Sequence, residues 1–148
     1  MEIFEWDESI PVTANNLNEM QNTLNDNMSD NFQSNGKIIW TNPNPASAFT
    51  AQTITLSETS LNFDCYEILF SQAKFVSDST STANRLISTG KIPIAYGTVL
   101  DYAVNNRYRL VNRPIGTSME FLDGINGGTT DNEKCTPMYV IGYKTGLF

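Results

Sequence analysis

Arg107, Arg109 and Arg113 alternate in parity with Tyr108 between them, a local basic face in a chain of net charge −7. A guanidinium is a planar fork that grips phosphate or carboxylate bidentately. That chemistry suits the phosphates of a wall teichoic acid or an acidic cell-wall sugar. Arginines at such a spacing also pair with acids across a subunit interface, and both readings stand at this point. Downstream, Asn126 and Asp131 sit in a Gly- and Asn-rich run, 123–132, that reads as a long flexible loop. The tyrosines Tyr96, Tyr102, Tyr108, Tyr139 and Tyr143, with the amides Asn105 and Asn106, add the mixture of apolar platform and polar partners on which sugar rings stack. The candidate ligand residues are therefore Arg107, Tyr108, Arg109, Arg113, Asn126 and Asp131.

Catalysis has little to work with. The chain contains no histidine, so the commonest general base and the Ser–His and Cys–His pairs are missing. Glycoside hydrolysis needs only two carboxylates, which directs attention to Glu120, Asp123, Asp101 and Asp64. Glu120 alternates with Met119 and Phe121 and belongs to the wet side of a strand, while Asp123 opens a turn. Gly124, Gly127 and Gly128 open no helix and cradle no phosphate. A protein without enzymatic activity or cofactor is expected. Asp123, Asn126, Asp131 and Glu133 offer calcium-type oxygens, but their spacing fits no EF-hand and turn formation accounts for them, so no metal is expected. Cys65 and Cys135 lie far apart in predicted strands and read as two buried free thiols.

At 148 residues and 40% hydrophobic, the chain can form one compact domain with an appendage. The acidic balance opposes nucleic-acid binding. Only 17% of residues are charged, and the abundant Asn, Ser and Thr make a surface of neutral hydrogen-bonding groups. No stretch approaches the roughly 20 apolar residues that cross a bilayer, and the first five residues lack the features of a signal peptide. Synthesis in the cytoplasm is the expectation.

These groups must be positioned by two kinds of element. In the first 36 residues, Leu17, Met20, Leu24, Met28 and Phe32 recur at spacings of three, four, four and four. One apolar residue per turn is a narrow stripe, the seam of helices that associate with copies of themselves rather than the wide face of a helix packed on a core. Thr13 is a candidate N-cap and Asn35-Gly36 a stop. Asparagine forms helices indifferently, so this arm needs partners. A trimeric stalk is expected, with a helix lying on its own domain as the alternative. Phe4 and Trp6 are candidate attachment residues.

Asn42-Pro43-Asn44-Pro45 then forbids further helix, because each proline fixes its own φ and pushes the preceding residue into extended backbone. From residue 37 to 148 the chain reads as an antiparallel β-sandwich or jelly-roll-like head. Gln52, Ile54 and Leu56 alternate with small polar residues, and Phe63–Phe70 is apolar on both faces, as in a central strand. Further strands are expected at Arg85–Ser88, Lys91–Tyr96 and Val99–Val104. Tyr108–Asn112 and Thr117–Leu122 form a hairpin turned by Arg113-Pro114-Ile115-Gly116, and a last strand contains Cys135. Trp40 is expected where stalk meets head.

The segment Trp40-Thr41-Asn42-Pro43-Asn44-Pro45, the strand Phe49-Thr50-Ala51-Gln52-Thr53 and the closing Cys135-Thr136-Pro137 and Ile141-Gly142-Tyr143-Lys144 resemble a tail-fibre or receptor-binding domain of phages and prophages of Gram-positive bacteria. The resemblance spans about residues 38–144. Residues 6–20, from Trp6-Asp7-Glu8 to Asn18-Glu19-Met20, resemble a segment that begins many phage fibre and baseplate proteins. The resemblance implies a homotrimeric virion component, on a tail fibre or baseplate, that contacts other tail proteins and adsorbs to host cell-wall polysaccharide or teichoic acid. The same architecture also serves purely structural baseplate proteins and carbohydrate-binding modules.

Overall fold

The computed structural model describes residues 14–15, 17–24, 36–74, 85–102 and 106–145. In chain order the β elements are β1 (Lys37–Thr41), β2 (Gln52–Thr55), β3 (Cys65–Ala73), β4 (Leu86–Ser88), β5 (Ile92–Pro93), β6 (Thr98–Asp101), β7 (Arg107–Val111), β8 (Ser118–Asn126), β9 (Thr129–Thr130) and β10 (Lys134–Tyr143), with a 3₁₀ turn at Ser60–Asn62. They form two antiparallel sheets. The first runs β1-β10-β3-β4, with β5 beside β4 on the flank of β3; the second runs β2-β8-β7-β6, with β9 continuing the β2 flank of β8. Fold and pattern agree on a mainly β, sandwich-like architecture.

The apolar alternation of each strand meets between the sheets. Ile39, Tyr66, Ile68, Phe70 and Val140 come from the first sheet, and Ile54, Leu100, Val111, Met119 and Phe121 from the second. Trp40 belongs here too. Its ring lies 6.0 Å from those of Phe49 and Phe121, so it packs on the core of the head. β3, which overlaps the Phe63–Phe70 run expected to be a central strand, is paired along both edges and has no exposed residue, and β10 beside it has none either. Cys65 and Cys135 are both buried free thiols. Cys65 pairs with Tyr143 at one end of β10, while Cys135 lies near the other end, so no bond joins them.

The Asn-Pro-Asn-Pro turn has a specific task. β10 bulges between Pro137 and Tyr139, where proline has no N–H to give a ladder. Asn42 covers the irregularity: its main-chain N–H donates to the Met138 carbonyl (2.9 Å) and its side-chain amide to the Pro137 carbonyl (2.8 Å). Its Oδ1 accepts the Asn44 N–H at 2.8 Å, an Asx turn that starts the reversal.

Two expectations are corrected. Residues 123–132 do not form a long loop: β8 continues to Asn126 and turns tightly into β9, with Asn126 opposite Thr129. Gly127 and Gly128 both have positive φ, +59° and +85°, as a two-residue hairpin turn requires at both central positions. The strand expected over Lys91–Tyr96 shortens to Ile92–Pro93 because a turn follows at once, closed by the Tyr96 N–H on the Pro93 carbonyl at 3.0 Å.

Residues 14–15 and 17–24 are helical, and Leu17, Met20 and Leu24 on the predicted stripe are exposed. Met28, Phe32, the Thr13 cap and the candidate attachment residues Phe4 and Trp6 lie outside the described residues, as do the continuation of β3 through Phe75-Val76 and the polar loop of residues 77–84. β1 starts at Lys37 beside Gly142, whereas Arg107 pairs with Asn126 at the far end of the second sheet.

Candidate ligand-binding face

The outward side of the second sheet carries the described concavities of interest. Alternation turns Tyr108, Leu110 and Asn112 outward from β7 and its end, and Ser118, Glu120 and Leu122 outward from β8. A bulge sets Leu110 opposite both Leu122 and Asp123, since Arg109 pairs with Gly124 and Val111 with Phe121. Val99 of β6 lies across from Leu110, and both are exposed. The result is a short apolar band across the middle of the sheet with a groove on either side.

The larger groove, about 530 Å³, lies toward the Arg113–Gly116 turn and is lined by Thr53, Asn112, Arg113, Ile115, Ser118 and Glu120, with Gly97 at its edge. β2 places Thr53 directly beside Glu120. The Asn112 side-chain amide donates to Glu120 Oε2 at 2.6 Å. Ile115, 64% exposed, supplies an apolar wall. Gly97 is needed for close approach: a Cβ there would lie 2.5 Å from the Val111 carbonyl oxygen.

The smaller groove, about 370 Å³, is lined by Tyr108, Leu110, Leu122, Asp123, Ile125 and Thr130 together with Ala51. Asp123 Oδ1 accepts the Ala51 N–H at 2.9 Å, which closes the gap between β2 and β9. That bond, a second from the Asn132 side chain and the nearby Arg109 charge hold the Asp123 carboxyl below its ordinary value. A carboxyl whose pKa is lowered by folding stabilises fully above its unfolded value, about pH 4, and stops doing so as pH falls through the folded value. The stability difference between the natural chain and Asp123→Asn, followed by thermal unfolding, is therefore expected to hold near neutrality and to close below about pH 4. A difference that stays constant down to pH 2 would show that the charge of Asp123 contributes nothing.

The six candidate ligand residues separate into four places. Arg107, Asn126 and Asp131 meet at the end of the sheet remote from β1: Arg107 Nε donates to Asn126 Oδ1 at 3.4 Å, and Asn126 Nδ2 donates to Asp131 Oδ2 at 3.2 Å. Tyr108 lines the smaller groove and Arg113 the larger one. Arg109 is inside the protein with no exposed surface. Its Nε donates to the Cys135 carbonyl (3.0 Å), Nη1 to Leu122 (2.6 Å) and Nη2 to Lys134 (3.1 Å), and its guanidinium lies 5.3 Å from the centre of the Phe49 ring. It thus ties β7 and β8 to β10 across the two sheets. Burial lowers its pKa to about 10, against the pull of Asp123, so it stays charged near neutrality. Burial also pushes the Cys135 thiol up to about 11, opposed by Arg109.

Of the other aromatics, Tyr96 is 65% exposed, Tyr102 packs against the core, and Tyr143 carries Lys91 Nζ 4.3 Å above its ring. Among the described residues no group of three or more His, Cys, Asp or Glu side chains is placed to hold a metal ion. Thr53, Asn112, Ile115 and Ser118 line the larger groove without having been singled out in the sequence, and Glu120 was weighed there only as a catalytic carboxylate. The outward parity of Glu120 was legible, but the approach of Thr53 depends on β2 pairing with β8 across more than sixty residues of chain.

No family model, curated protein or solved structure matches the chain. Among the described residues no helix is long and apolar enough to cross a membrane.

Proposed function

We propose that the chain is a tail-fibre or baseplate tip component of a phage virion, which adsorbs to the bacterial surface through weak, repeated contacts with cell-wall glycans. The observation that carries this reading is the outward face of the second sheet. It combines exposed aliphatic side chains, a tyrosine and hydrogen-bonding groups in two open grooves, the mixture that shallow glycan sites use. The resemblance of residues 38–144 to receptor-binding domains points the same way. The exposed Leu17, Met20 and Leu24 fit a helical stalk that brings three heads together. Trimer valency multiplied by several fibres per virion lets affinities on the order of millimolar per site suffice through effective concentration.

The test uses the full chain. Light scattering is expected to give a mass three times that of one chain, and the labelled protein is expected to sediment with Gram-positive cells or purified walls. A monomer that binds walls would instead indicate a simple carbohydrate-binding module. A trimer that binds none would favour the second reading, a structural tail protein whose apolar band on the second sheet is covered by another virion component.

A further inference from the structure

We propose that the larger groove takes a zwitterionic repeat of a cell-wall polymer, a phosphodiester seated on Arg113 with a neighbouring ammonium seated on Glu120. The inference rests on the adsorption reading and specifies the chemistry of its ligand. Its basis is that a full positive and a full negative charge line one groove without neutralising each other. Glu120 takes the Asn112 amide, and Arg113 forms no ion pair or side-chain hydrogen bond among the described residues. Opposite charges that share a concavity and stay apart are complementary to a ligand whose own charges are separated in the same way.

The rest of the lining agrees. The hydroxyls of Thr53 and Ser118 flank the carboxylate and suit the hydroxyls of a polyol or sugar backbone, while exposed Ile115 covers its carbon skeleton. The charge of the whole protein narrows the choice further. At −7, the chain repels a uniformly anionic polymer at long range. A repeat that carries one phosphate and one ammonium is neutral and escapes that repulsion, while Arg113 still binds its phosphate bidentately. Arg113→Gln and Glu120→Gln alter exposed side chains and leave the fold intact, which matching unfolding midpoints verify.

The experiment is an NMR titration of the full chain with three soluble probes: glycerophosphoethanolamine, which carries both charges, glycerol 3-phosphate and ethanolamine. The zwitterion is expected to shift the amides of Arg113, Ser118 and Glu120 and to bind at least about fivefold more tightly than either single-charge probe. Each substitution is expected to weaken it by about fivefold, the size of one partly exposed charge contact. Equal affinity for glycerophosphoethanolamine and glycerol 3-phosphate, or shifts confined to residues outside the groove, would overturn the proposal. Alanyl-esterified teichoic acid before and after mild alkaline removal of its esters, set beside a phosphopolysaccharide with free amino sugars, distinguishes the two sources of such a repeat. Cell binding that survives both substitutions sinks the groove assignment and leaves adsorption standing. Probe binding in the groove without cell binding sinks adsorption and leaves the groove chemistry standing.

Discussion

Arg109→Ala is expected to lower the unfolding free energy by roughly 3 to 5 kcal/mol, from lost packing together with buried acceptors left unpaired. The side chain is among the largest that are fully buried. Removing it opens a cavity beneath Phe49 and strips hydrogen bonds from the carbonyls of Leu122, Lys134 and Cys135. Those oxygens belong to strands of both sheets, β8 and β10, and all three lose the guanidinium that joins them. Arg109→Met should recover part of the loss by refilling the volume while leaving the acceptors unpaired. Arg113→Ala, an exposed control, should stay within about 0.5 kcal/mol of the natural chain. Urea unfolding at neutral pH measures all three, and a change below about 1 kcal/mol for Arg109→Ala would contradict the cross-sheet role.

Gly124→Ala should cost about 2 to 3 kcal/mol by overpacking. A Cβ at residue 124 would overlap the Asp131 carbonyl oxygen and lie 2.9 Å from both the Lys134 carbonyl oxygen and Arg109 Nη2. Two of these neighbours are backbone atoms, which cannot swing aside as a side chain does. They are fixed by the Asp131 N–H on the Gly124 carbonyl and by the Gly124 N–H on Asn132 Oδ1, at 2.8 and 2.9 Å. Accommodation therefore means moving the segment that leads from β9 into β10. In the double variant with Arg109→Ala the losses should fall short of additive by about 0.5 kcal/mol or more, since truncating Arg109 removes one of the three clashes. Strict additivity would mean that the two residues do not press on each other.

Both effects arise where linear reading is weakest. Arg107 and Arg109 share parity, and parity alone gave them one role. Register separates them: Arg107 pairs with Asn126 at the rim, while Arg109 pairs with Gly124, where a missing side chain leaves room for a guanidinium inside. The strands around them were far more legible. β3 and β10 announce themselves by apolar runs, and the outward position of Glu120 between buried Met119 and Phe121 follows from period-two alternation. The Gly127-Gly128 turn was also available, since a Gly pair between Ile125-Asn126 and Thr129-Thr130 is a hairpin signal. The surrounding Asn and Asp residues disguised it as a loop.

Local sequence determined much of this protein: the helical residues near the start, the proline turn between β1 and β2, the faces of most strands, and the lack of histidine that removes the usual catalytic base. These depend on steric and periodic rules that act within a few residues. The tertiary structure alone decided which arginine is buried, which concavity joins Thr53 to Glu120 and Arg113, and how Asn42 covers the bulge of β10. Those outcomes depend on pairings between strands distant in sequence, and the register of such pairings is set by the packing of both sheets together.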